Sequence, residues 1–284
     1  MANIRAIRRR IRGVKSTAKI TQAMQMIAAS KMRRAQERSL AGRPYVDKIQ
    51  QVIANLAALP EVGLVHPLLQ ERPVKKIAVV FITPDRGLCG GLVSNLNRTI
   101  GNFILEQKVP VSVIAVGRKG RDFIRHSGAE RCAEFIDIGD QPVLMDTLPI
   151  SRLVIDGYAG GEFDKVCLVY ARFVSTMVQR SVAEQLLPVE PPGTPQAQNV
   201  DLIYEPGPAA VLGGLLPRFV EVRVYHAVLE SIASEQSAWM VAMKNATDNA
   251  NELIIELNLR YNKARQEAIT TEILEVIGGV EAQA

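Results

Sequence analysis

Aromatic residues are scarce in this chain, at 5% with a single tryptophan. That scarcity argues against an aromatic-rich β-barrel and favours aliphatic helix packing. Cysteine is nearly missing as well. Cys89, Cys132 and Cys167 lie far apart, with no CxxC spacing and no neighbouring histidine pair. A disulfide framework and a zinc site are therefore excluded, and free thiols in a reducing compartment are expected. No apolar run approaches the roughly 18 residues that a membrane-spanning helix needs. The basic start is not followed by an apolar core, so no secretory signal is read.

Acidic residues are lacking from the whole N-terminal segment before Glu37. Residues 1–48 hold 13 Lys/Arg against Glu37 and Asp47, a net +11, so the rest of the chain carries −6 of the total +5. A strongly basic arm on a mildly acidic body points to an acidic partner surface, a membrane face or nucleic acid. Mitochondrial transit peptides share this Arg-rich, acid-poor composition. Here, however, the helical pattern runs past residue 35 without a change in composition, so the segment is read as part of the fold.

Residues 1–58 read as one long helical stretch. Ile7, Val14, Thr21, Ala28 and Ala35 recur in sevens, interleaved with Ile4, Ile11, Ala18, Gln25, Met32 and Ser39. This is a coiled-coil seam that starts with Ile and Val and shrinks to Ala, Thr and Ser. Ile20, Met24 and Ile27 form a second apolar stripe on another side, and Pro44 marks an expected bend or joint. From residue 208 to about 280 the chain is helical again. Val222, Tyr225, Leu229, Ile232, Gln236, Trp239, Met243, Ala246, Ala250, Leu253 and Leu257 alternate at threes and fours. Some 70 helical residues would reach roughly 105 Å. Two such seams are expected to pair antiparallel, with Ala28, Ala35, Ala246 and Ala250 allowing close approach. The second stripe would be left facing something outside the chain.

Residues 74–190 change character. KKIAVVFIT, VPVSVIAVG, AEFIDI and DKVCLVYARFV read as strands, separated by helical segments at about 91–107, 118–127 and 142–160. The alternation predicts βαβ units and a mostly parallel sheet. PPGTPQAQN (191–199) reads as a proline-rich linker. The fold class expected is thus α/β: an antiparallel coiled coil of the N- and C-terminal helices plus an inserted Rossmann-like α/β domain. The divisions fall at 1–58, 74–190, 191–207 and 208–284.

The search for chemistry is largely negative. TPDRGLCGGLVSNLN follows the first strand, where α/β proteins place ligand loops. Its glycines precede Leu92 and Val93 rather than the Lys-Ser/Thr of a P-loop, and GxGxxG spacing is missing. The loop is read as a tight strand-to-helix turn, pinned by a local Asp85–Arg86 pair. Cys89 has no histidine base in its own segment, since His66, His126 and His226 lie in three others, and is read as an inert thiol. The basic arm lacks the interleaved aromatics of nucleic-acid arms, because its first aromatic is Tyr45. Near the C-terminus, Arg265, Gln266, Thr270 and Glu272 cluster within two turns. Asn262, Arg265 and Gln266 share one helix side, beside an apolar tip, which suits a polar contact inside a partner.

Four segments together carry a family resemblance. IRRRIRGVKSTAKITQAMQMIAASKMRRAQ, DRGLCGGL, SEQSAWMVAMKNATDNA and YNKARQEAITTEILEVIGG, in this order over nearly the whole chain, resemble the γ subunits of rotary proton-translocating ATP synthases. The resemblance implies a non-catalytic shaft without cofactor or metal. Its two terminal helices would turn inside a ring of three α and three β subunits. The α/β domain would meet the ε subunit and the membrane c ring. It also implies a place at the cytoplasmic face of a bacterial plasma membrane, held through the complex alone, with no nucleic-acid partner. Residue by residue, Met24 matches the family's methionine facing the moving lobe of β. Lys31, Arg33 and Arg34 are placed to meet an acidic segment of β. Arg265, Gln266, Thr270 and Glu272 match the polar catch, and Tyr204 and Glu205 the foot beside the c ring. Plastid relatives carry an inserted cysteine pair that acts as a redox switch. This chain has no such pair, so thiol control is not expected.

Overall fold

The computed structural model describes residues 2–57, 66–190, 204–205 and 207–281. The chain forms two compact units, residues 1–28 with 240–284 and residues 29–239. Helix α1 (Ala2–Ala57) and helix α5 (Pro208–Glu281) each contribute to both.

In the first unit, α1 and α5 pair antiparallel. Thr21 Oγ1 lies 2.7 Å from Thr247 Oγ1, and Arg8 donates to Tyr261 Oη at 3.2 Å with its guanidinium over the ring. The α1 number falls as the α5 number rises. Ile11, Ala18, Thr21 and Ala28 are buried against Met243, Ala250 and Leu257, so the heptad residues do form the seam. Small side chains at the contact are what let two helix backbones approach closely.

The second unit is built on a five-stranded sheet of order β3-β2-β1-β4-β5. Strands β1 (Ile77–Ile82), β2 (Val111–Val116), β3 (Glu130–Phe135) and β4 (Lys165–Phe173) are parallel, with Ile77 opposite both Val111 and Lys165. Strand β5 (Gln179–Leu187) returns antiparallel to β4, Phe173 opposite Gln179. The two-residue period divides β1 between two cores. Ile77, Val79 and Phe81 pack with Leu96 and Ile100 of α2 (Leu92–Glu106) and Ile124 of α3 (Arg118–Ser127). Ala78, Val80 and Ile82 pack with Ile150, Val154 and Tyr158 of α4 (Leu144–Ala159), and with Ile53, Leu56, Leu216 and Val220 of the long helices.

Two strand expectations need correction, and Pro44 marks no joint: it lies inside α1, which runs on to Ala57. It is exposed beside exposed Leu40, where water can meet the carbonyl that loses its N–H partner. Strand β3 lies earlier than AEFIDI, ending at Phe135 before Asp137 turns to φ 60°. It is an edge strand with a mostly exposed, polar sequence, so its apolar run misplaces it. Strand β5 was not anticipated. QRSVAEQLL opens on polar residues and has no β-branched run, and its pairing is supplied by the turn after β4.

Candidate functional surfaces

The DRGLCGGL segment is a turn built from backbone. Leu88 and Gly90 take positive φ (68° and 60°), and Gly91 is the cap that precedes α2. Thr83, just past β1, donates to Val116 O at 3.1 Å and accepts the Gly120 N–H at 2.7 Å. Asp85 does not pair with Arg86. Its two carboxylate oxygens accept the N–H groups of Arg118 (2.8 Å) and Asp137 (3.2 Å). The carboxylate thus joins the ends of β2 and β3 to the end of β1, a pairing that no local spacing could reveal. Arg118 in turn holds Asp137 through two bonds of 2.7 Å. Cys89 is buried, and burial pushes its thiol up, away from thiolate reactivity. The histidines lie apart in local contacts, and His126 is exposed on α3. His66 accepts the Leu68 N–H at 3.2 Å, and His226 lies 3.3 Å from Ser39.

On α1, Met24 is half-buried while Ile20 (54%) and Ile27 (51%) are exposed. Met26, on another side of the helix, is more exposed still at 64%. Arg33 and Arg34 are exposed; Arg33 bonds Glu37 one turn away and Arg34 bonds Ser30. Lys31 differs, being half-buried and paired with Asp140 in the loop after β3. To reach a partner it would have to leave that carboxylate.

Arg265, Gln266, Thr270 and Glu272 are all exposed on α5, with Asn262 beside them. Thr270 Oγ1 donates to the Gln266 carbonyl at 3.0 Å, which leaves the Gln266 amide free of that bond. Alongside runs a surface that the heptad reading passed over. Ile255, Leu259, Ile269, Ile273, Leu274 and Ile277 are all at least 47% exposed. All but Leu274 fall on one side of the helix, a signal masked by the stronger seam on the other side. Residues 4–28 of the facing helix add Arg5, Arg9, Arg12, Lys15 and Lys19, all exposed. Apolar patches of this size rimmed by charge mark contact surfaces.

Tyr204 is half-buried and packs on the core of the second unit, whereas Glu205 is exposed. Of the expected linker, residues 191–203 and 206 lie outside the described residues. Among the described residues no helix is long and apolar enough to cross a membrane.

Comparison with known proteins gives a consistent result. A family model described as ATP synthase matches residues 3–283. A protein of Dehalococcoides mccartyi described as ATP synthase gamma chain is 65% identical over the full length of both chains. One of Herpetosiphon aurantiacus with the same description is 53% identical over 99% of each. Among solved structures, a chain of the Euglena gracilis mitochondrial ATP synthase (OSCP/F1/c-ring) has a TM-score of 0.68, covering 99% of this chain and 95% of that one. At 19% identity it speaks to the fold.

Proposed function

Because this chain belongs to the ATP synthase γ-chain family, we propose that it is the central shaft that couples rotation of a membrane c ring to ATP synthesis and hydrolysis at three β subunits. The γ chain is the central-stalk subunit of a membrane-associated complex and not the catalytic one. The observation that carries the reading is the 65% identity to a γ chain, end to end. The antiparallel helix pair supports it, since its outer sides are apolar and cationic where a single soluble protein would be polar.

Within that reading, residues 1–58 and 208–284 are the shaft helices, 74–190 the α/β domain and 191–207 the foot. Met24 faces the moving lobe of β; its half-buried place between exposed Ile20 and Ile27 supports this. Arg33 and Arg34 meet an acidic segment of β, and Lys31 joins them if it exchanges Asp140 for a partner carboxylate. Arg265, Gln266, Thr270 and Glu272 form a polar catch inside the ring, consistent with their being exposed. Tyr204 and Glu205 belong to the foot near the c ring and ε. The chain sits at the cytoplasmic face of a bacterial plasma membrane through its partners.

The test is affinity purification of the tagged chain from its own cells, with mass spectrometry and an ATPase assay of what co-elutes. Stoichiometric α and β subunits, with hydrolysis absent from the chain alone, are expected. A lone chain, or one that brings down nucleic acid, would overturn the reading.

A further inference from the structure

Charges of both signs meet at the carboxyl edge of the parallel strands. A cavity of about 250 Å³ there is lined by Asp85 and Arg86 after β1, Arg118 after β2, Asp137 and Asp140 after β3, and Glu235 of α5. Lys31 of α1 pairs with Asp140. Arg118 is taken by Asp137, and Asp85 is occupied with two backbone N–H groups. With Glu235 protonated, the carboxylates of Asp85, Asp137 and Asp140 stand against Arg86, Arg118 and Lys31, and the charges balance. Ionised, Glu235 is a fourth carboxylate against those three cations; Arg38, spent on Gln141, and Lys119, near Cys89, are the further cations around the site.

The loop of residues 136–143 forms one wall of this cavity, and both long helices hold it. Besides the Lys31–Asp140 pair, Arg38 of α1 donates to Gln141 Oε1 at 2.8 Å, and Tyr225 of α5 donates to Pro142 O at 3.2 Å. We propose that Glu235 is a proton-operated latch: protonated, it lets α1 and α5 hold the 136–143 loop closed, and ionised, it repels Asp140, competes for Lys31 and loosens the loop. Like charges sharing one partly desolvated site cannot all ionise cheaply.

The titration falls where such a latch could work. Burial, then Asp140 and Asp85, raise the Glu235 carboxyl to about 7, while Arg86 and Lys31 pull the other way. Buried Cys89 also feels the Glu235 charge. Because the folded-state value is raised, the stabilisation is complete below the ordinary glutamate range and is lost as pH rises through about 7. The device concerns contacts within residues 29–239 and does not depend on the shaft reading.

Backbone hydrogen exchange of residues 136–143 in the full-length chain tests it, at pH 6 and pH 8, corrected for the intrinsic pH dependence of exchange. The wild type is expected to lose about tenfold in protection, and Glu235→Gln to keep the same protection at both values. Equal protection in the wild type, or the same loss in Glu235→Gln, would overturn the latch. Should the variant fold poorly, the wild type decides by carbon-13 NMR titration of glutamate carboxyls. A resonance with its midpoint near 7 is expected, and no glutamate titrating above pH 5.5 would sink the proposal.

Discussion

Gly117 is the residue that the sequence gives least reason to notice. It takes φ 95°, and a Cβ there would stand 2.0 Å from the Thr83 carbonyl oxygen, a backbone atom that cannot swing aside. Gly117→Ala therefore combines left-handed strain with a clash between the ends of β1 and β2. A loss of roughly 3 kcal/mol or more is expected, read from urea unfolding followed by the single Trp239; a change under about 0.5 kcal/mol would contradict the geometry. Under the proposed shaft role, Met24 is the residue expected to face β. Met24→Lys places a cation on a half-buried site among exposed apolar neighbours. Without a counter-charge on the partner, that cation is desolvated on contact, at a cost of several kcal/mol. ATP-driven proton pumping in membrane vesicles is expected to fall much further than complex yield, and undiminished pumping would remove Met24 from the β contact.

Among the elements, the helix pair of the first unit was the most legible, because a heptad seam is written in local spacing. Its polar member was less so. Thr21 and Thr247 meet at 2.7 Å, yet each also has an acceptor on its own helix, Ala18 O at 3.1 Å and Met243 O at 2.9 Å. Neither hydroxyl is stranded when the other is removed, so single Thr→Val changes should be mild. A double-mutant cycle is expected to give a coupling of about 0.5–1 kcal/mol. A coupling indistinguishable from zero would mean that the two helices do not meet at this register. The sheet elements were read with mixed success. The buried parallel strands β1, β2 and β4 stand out as β-branched runs, because both of their faces are covered. Edge strand β3 was misplaced and edge strand β5 missed, because an edge is half-solvated and its composition says little.

For the whole chain, the charge asymmetry is the property with a kinetic consequence. Residues 1–48 carry 13 Lys/Arg against two acids, and the cations of residues 4–28 are exposed. Association with the α and β subunits should therefore be steered electrostatically and slow with salt. Its rate constant is expected to drop by about tenfold or more between ~0.05 and ~0.5 M salt. Arg9→Gln with Arg12→Gln should flatten that dependence, and a salt-independent rate would show that the apolar surfaces dominate the encounter.

The sequence by itself determined the two long helices, the inserted α/β domain and the family. Those features are written in residues close along the chain: heptad spacing, β-branched runs and short motifs in fixed order. Tertiary structure alone decided which charges meet. Asp85 looked toward Arg86 in sequence but binds the backbone of Arg118 and Asp137, and Lys31 of α1 finds Asp140 across 109 positions. Glu235 joins that cavity from a heptad helix in which its spacing makes it an ordinary polar neighbour of the seam. Coulomb interactions depend on distance in space and on burial, and neither is set by proximity along the chain. The proton-sensitive site therefore became visible only when the ends of the strands and the two helices were brought together.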